Sequence, residues 1–166
     1  MRSAIAHGIK HREVPSDIFQ TPKELAQALI GLVPLETGDM VLDPARGEGA
    51  FYDNFPPLVK KDWCELSLGV DFLHYDKAVD WIVTNPPYSN LDAWFSKATE
   101  ISGKGFAYFL GFTNITPRRI EMANKAGFGL SVIHLCKVFL WYGISSFVVF
   151  QKGAENIISY DRVVWK

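Results

Sequence analysis

The chain has 166 residues, 48% of them hydrophobic and 14% aromatic, which is enough apolar material for one well-filled core and excludes a disordered or collagen-like polymer. Its 17 basic side chains stand against 18 acidic ones, a formal net charge of -1, so there is no chain-wide positive field to hold a polyanion. Any contact with nucleic acid must therefore use a local patch.

No repeat or low-complexity segment divides the chain, and one domain over residues 1–166 is expected, with a polar leader at 1–18. Thr21-Pro22-Lys23-Glu24 reads as an N-cap, a first-turn proline and a capping-box acid. Leu25, Ala28, Leu29 and Leu32 follow at helical spacing, so a helix is predicted that ends near Gly31 to Pro34. Met40 to Asp43 is a buried-strand pattern running into the glycine-rich turn Pro44-Ala45-Arg46-Gly47-Glu48-Gly49, and Pro56 and Pro57 allow only a short helix after it. Two brief apolar stretches, Trp63 to Leu66 and Leu68 to Val70, predict abbreviated strands with too little chain between them for a crossover helix.

Val79 to Val83 is the next strand, entering Thr84-Asn85-Pro86-Pro87-Tyr88. A helix marked by Leu91, Trp94, Phe95 and Ala98 follows, capped by Ser89 or Asn90. Phe106 to Phe112 is a long apolar strand, and Thr116-Pro117 starts a helix through Ile120 and Ala123 that stops at Gly127. Val132 to Leu140, Ser146 to Gln151 and Ile157 to Val164 are rich in β-branched and aromatic residues and predict antiparallel strands with a turn at Tyr142-Gly143. Strand and helix alternation closed by a hairpin implies a three-layer α/β sandwich, mostly parallel, with its ligand crevice at the carboxyl ends of the strands.

No secretion signal or membrane helix is read: the longest apolar stretch, Val138 to Phe150, is broken by Gly143, Ser145 and Ser146, and a soluble cytoplasmic protein is expected. Cys64 and Cys136 lack ligand-spaced partners and are expected to be buried free thiols. His7, His11, His74 and His134 have no ligand spacing, so no metal is expected.

Two motifs sit at predicted strand ends. In Asp43-Pro44-Ala45-Arg46-Gly47-Glu48-Gly49-Ala50-Phe51, two glycines let the backbone approach a ligand, and the acid at the strand tip can bind a cationic or hydroxyl group. In Asn85-Pro86-Pro87-Tyr88, consecutive prolines remove two N–H donors and hold a rigid group of acceptors. The Asn85 side-chain oxygen and the Pro86 carbonyl can both accept from one planar amino group, leaving its nitrogen a better nucleophile, and Tyr88 offers a face for stacking.

Together these motifs resemble the S-adenosylmethionine-dependent N6-adenine DNA methyltransferases, and Phe19-Gln20-Thr21-Pro22 ahead of them is similar to the leading cofactor motif of the gamma class. The resemblance implies a Rossmann-like class I methyltransferase sandwich and S-adenosylmethionine as cofactor. Thr21 and Pro22 would line its methionine end, Asp43, Pro44, Ala45, Gly47 and Gly49 would cradle it, Glu65 would take the ribose hydroxyls, and Asp71 and Phe72 the adenine amino group and ring. Asp43, Glu65, Asp71 and Asn85 would stand at four successive strand tips. Asn85, Pro86, Pro87 and Tyr88 would carry catalysis, and Phe139, then Trp141 or Phe147, would stack on the target base.

The implied reaction is methylation of adenine in duplex or single-stranded DNA, as in restriction-modification; an RNA base, a protein glutamine amide or a non-catalytic role are the alternatives. Arg46 departs from the family's small residue, the second and third strands are nearly fused, and no target-recognition domain is expected after the hairpin. Specificity would then come from a homodimer or a separate subunit, with Lys10, Arg12, Arg118, Arg119 and Lys125 as candidate phosphate contacts.

Overall fold

The computed structural model describes residues 20–138 and 143–162, which build one six-stranded sheet between two layers. In chain order these are α1 (Lys23–Ile30), β1 (Met40–Asp43), β2 (Lys60–Trp63), β3 (Val79–Thr84), α2 (Leu91–Ile101), β4 (Ser102–Gly111), α3 (Pro117–Lys125), β5 (Phe128–Cys136) and β6 (Ser145–Lys152). The strand order is β2-β1-β3-β4-β6-β5. The first four pair in parallel and the last two antiparallel, as alternation followed by a hairpin predicts.

Period-two alternation along the central strands divides the core between the two faces. Leu42, Ile82, Phe106, Tyr108, Val148 and Phe150 point to the side covered by α2 and α3, which contribute Trp94, Phe95, Ala98, Ile120 and Ala123. Val41, Trp81, Val83, Ala107, Phe109, Phe147 and Val149 point to the other side, covered by Ala26, Leu29 and Ile30 of α1 and by Phe51 and Phe55. Gly105 lets the Trp81 ring cross β4, since a Cβ there would lie 2.4 Å from Trp81 Cζ3 and 2.4 Å from the Phe150 carbonyl oxygen.

Local readings need correction in five places. The Thr21 hydroxyl does not cap α1: Pro22 occupies the cap position without a side-chain hydrogen bond, and α1 buries Ala26, Leu29 and Ile30 while Ala28 faces outward. Only the first abbreviated strand forms, shifted to Lys60–Trp63; Leu66–Leu68 makes a 3₁₀ turn, and the second is reduced to one bridge between Glu65 and Val70. A strand needs a partner for its N–H and C=O groups, and here the chain folds back on itself instead. Residues 157–162 form no strand, the Ile157 N–H donating to Leu130 on the edge of β5. Cys64 is buried and pushed up to about 12 by burial, but Cys136 is only half-buried. Phe147 lies in the core, stacked on Phe51 at 6.3 Å.

The leader 1–18, Phe19, Lys10, Arg12, Phe139 and Trp141 lie outside the described residues. Among the described residues no helix is long and apolar enough to cross a membrane, and no group of His, Cys, Asp and Glu side chains could hold a metal ion.

Candidate active site

The carboxyl ends of β1 and β3 are adjacent, because Leu42 pairs with Ile82. Asp43 ends β1 and Thr84 ends β3, and the Thr84 hydroxyl donates to Asp43 Oδ1 at 2.7 Å. The same carboxylate accepts from the Ala45 N–H at 3.3 Å and the Tyr52 N–H at 3.1 Å, so it draws the start and the end of the glycine loop onto the sheet. Burial pushes the carboxyl up to about 7, against the pull of these three hydrogen bonds. Asp43 is 1% exposed, and from inside the protein its carboxylate holds the two ends of the glycine loop to the end of the sheet.

The loop it shapes turns at Gly47 (φ +51°) and Gly49 (φ +86°), left-handed conformations that suit glycine. At Gly49 a Cβ would also come within 2.7 Å of the Asp53 carboxylate. Pro44 and Gly49 are buried, whereas Gly47 is exposed beside the Gln20 side chain. Arg46, where a small residue was expected, lays its guanidinium over the rings of Tyr52 and Trp63, 5.2 Å and 5.3 Å from their centroids.

Glu65 stands two residues beyond β2 and reaches back to this loop, accepting the Gly47 N–H at 2.8 Å. Its other oxygen accepts the Ser67 N–H at 3.1 Å and the Ser67 hydroxyl at 2.6 Å. Burial acts against its charge, but these donors outweigh it and hold the carboxyl below the usual glutamate range. Asp71 caps the 3₁₀ turn Phe72–His74 through the Leu73 N–H at 2.9 Å, with His74 Nδ1 3.0 Å from its other oxygen. It is therefore not at a strand tip, and the expected row of four tips reduces to Asp43 and Asn85 at strand ends with Glu65 and Asp71 on connecting turns. Phe72 is 2% exposed and its ring is tilted against Trp94, with centroids 4.6 Å apart.

Asn85 follows β3 directly. Its amide nitrogen donates to Thr21 Oγ1 at 3.3 Å, which brings the entry to α1 against the catalytic candidate. Pro86 is buried, Pro87 holds an extended backbone, and Tyr88 opens a 3₁₀ turn that leads into α2 while packing on the α2 side of the core. Pro22, beside Thr21, is exposed.

Among the described residues, three of the basic candidates form ion pairs. Arg118 and Arg119 both reach Asp92, at 3.3 Å and 2.8 Å, and Lys125 pairs with Glu121 at 3.1 Å. Thr84 and Ser67 were not singled out from the sequence. Thr84 has a signal there, a hydroxyl closing an otherwise apolar strand, whereas Ser67 has none.

No protein-family model matches the chain, and no curated protein matches it. Solved structures do. The Mtq2–Trm112 complex of E. cuniculi, responsible for methylation of the eRF1 translation termination factor, is 13% identical over 82% of this chain and 99% of that one, with a TM-score of 0.63. The M protein of the type I restriction enzyme EcoKI is 12% identical, with a TM-score of 0.59; 92% of this chain aligns, spanning 47% of that one, about half its length. Magnesium protoporphyrin IX methyltransferase from Synechocystis PCC 6803 with bound S-adenosylmethionine is 13% identical over 78% of this chain and 76% of that one, with a TM-score of 0.56. The fold is that of the Rossmann-like class I methyltransferases, mostly parallel with an antiparallel carboxyl-terminal pair. Their acceptors differ, so fold alone does not select one.

Proposed function

We propose that this chain transfers a methyl group from S-adenosylmethionine to the exocyclic amino nitrogen of adenine in DNA, taking the base from a single strand or rotated out of a duplex. The observation that carries this reading is the placement of Asn85-Pro86-Pro87-Tyr88 at the end of β3, beside the glycine loop at the end of β1, in a fold shared with class I methyltransferases.

The residues present fit the cofactor: an exposed Gly47 in a left-handed turn leaves room for close approach, and the charged Glu65 carboxylate with the partly exposed Asp71 supplies acceptors alongside. Gly47, Gly49 and the Thr21-Pro22 entry would hold its methionine part, Glu65 its hydroxyls, and Asp71 its base amino group. When bound, it supplies a methyl carbon attached to a positively charged sulfur that departs as a neutral thioether. Asn85 and the Pro86 carbonyl accept the two amino hydrogens of adenine and direct the nitrogen lone pair at that carbon. Tyr88 holds the ring plane, and no general base is required before attack, because the amino proton becomes acidic only once the new N–C bond forms and the cationic nitrogen then releases it to solvent water.

The test is transfer of labelled methyl to duplex DNA, single-stranded DNA, RNA and a protein lysate, with nucleoside analysis of the labelled acceptor. N6-methyladenine in DNA is expected; label confined to RNA or protein would overturn the acceptor, and no label in any would overturn the activity.

A further inference from the structure

Beyond Tyr88, a second aromatic stands at the same end of the sheet. β3 and β4 pair in parallel with Thr84 opposite Tyr108, and Tyr88 and Phe112 follow these two residues by the same interval. Adjacent strands lie about 5 Å apart, so both turns rise from neighbouring positions at the strand ends. Along β4, Phe106, Tyr108 and Leu110 point to the α2 side of the sheet. Gly111 keeps an extended backbone, which carries the alternation on to Phe112. Tyr88 packs on that same side.

Phe112 is 47% exposed although β4 from Gly105 to Gly111 is buried. Its backbone is nevertheless fixed: its N–H donates to the Ile144 carbonyl at 2.8 Å and its carbonyl accepts from Ile115 at 3.1 Å. Arg119 then ties this turn to the one that holds Tyr88. Its Nε donates to Asp92 in the first turn of α2 at 2.8 Å, and its Nη1 donates to the Asn114 carbonyl at 2.8 Å, at the end of the Phe112–Asn114 turn. The Arg119 side chain is 17% exposed, and the planar fork of a guanidinium holds two acceptors at a set separation.

We infer that Phe112 is a wall of the acceptor slot facing Tyr88, that Arg119 and Asp92 are positioning residues which set the width of that slot, and that the acceptor is a flat aromatic ring bearing an amino group rather than an aliphatic amide. This rests on the methyltransferase reading above. Stacking on a fixed aromatic contributes to the binding of any planar base and little to a flexible side chain, so the two acceptor classes respond differently to loss of the ring.

The test uses the whole chain, saturating S-adenosylmethionine and two acceptors, an adenine-containing single strand and a glutamine-containing peptide. With the single strand, Phe112→Ala raises the acceptor KM on the order of tenfold, Phe112→Leu does nearly the same because it restores bulk without a flat face, and Phe112→Tyr restores the wild-type value. Cofactor affinity and melting temperature stay near wild type in all three. Asp92→Asn raises the acceptor KM in the same direction and adds nothing to Phe112→Ala, the non-additivity expected of residues acting through one slot. A folded Phe112→Ala or Phe112→Leu with unchanged acceptor KM would overturn the inference while leaving the methyltransferase reading intact, as would wild-type transfer to the peptide alone. No transfer to any acceptor overturns the reading and the inference together.

Discussion

The hydroxyl of Thr84 donates to Asp43 Oδ1 at 2.7 Å across 41 residues of chain, closing the ends of β1 and β3 against each other under the glycine loop. Burial raises this carboxyl from the ordinary 3.8 to about 7, so between those values the native protein holds a proton that the unfolded chain has released. Folding stability contributed by this group is therefore greatest at the acid end of that window and declines as pH rises through it. Asp43→Asn removes the titration, and the difference in melting temperature between wild type and variant should shift steadily in the variant's favour from pH 4 towards pH 7. A difference that does not change with pH would remove Asp43 from the account.

At the reacting end, Asn85→Ala should lower kcat by roughly 100-fold or more, with S-adenosylmethionine binding nearly unchanged, since its amide acts on charge that develops at the acceptor nitrogen. Thr21→Val removes the hydroxyl that receives the Asn85 amide at 3.3 Å. A kcat loss of about fivefold, the worth of one neutral hydrogen bond, is expected. Steady-state kinetics beside calorimetric titration of the cofactor check both, and equal loss of cofactor binding in Asn85→Ala would contradict its role.

Glu65 joins the second turn to the glycine loop through the Gly47 N–H at 2.8 Å and also receives Ser67. Removing the carboxylate in Glu65→Ala strips a charged acceptor from the loop and from the proposed ribose position, and should weaken S-adenosylmethionine about 10- to 100-fold. Glu65→Gln keeps one acceptor oxygen and should lose less. Isothermal titration with both variants decides, and equal affinities across the three proteins would exclude Glu65 from the cofactor site.

Away from the site, Gly105→Ala places a methyl 2.4 Å from the Phe150 carbonyl oxygen and 2.4 Å from the Trp81 ring, both held in the core. Backbone and indole cannot both yield, and overpacking of this kind costs roughly 2–3 kcal/mol. For a chain of this size that corresponds to a fall in melting temperature of about 5–10 °C, readable by calorimetry. An unchanged transition would mean that β4 and Trp81 are less closely packed than described.

Much of this architecture is legible in linear order because its causes are local. Thr116 caps α3 by accepting the Arg119 N–H, and Pro117 follows at the first helical position, as the residue types dictate. Met40 to Asp43 and Val79 to Thr84 are apolar runs that stop at polar residues, and both became buried parallel strands. The same reasoning failed where the outcome depended on a distant partner. Thr21 has the side chain of a cap, yet its hydroxyl receives Asn85, 64 residues along the chain at the end of β3. Leu68 to Val70 has the composition of a strand but found only a single bridge.

Asp43 shows the division most plainly. Its position at the end of an apolar run before a glycine loop is set by residue order alone, and so is the rigidity of Asn85 to Tyr88, because proline restricts its own φ wherever it stands. That Asp43 is buried and consumed by Thr84, Ala45 and Tyr52 depended on two strands meeting side by side. The pairing of Arg119 with Asp92, which withdraws a cation from the surface and ties two aromatic turns together, likewise required α2 and α3 to pack. Residue order determines backbone preference and which groups are available. Only the folded chain decides which donor meets which acceptor, because hydrogen bonds and ion pairs act over a few ångströms and those separations are created by packing.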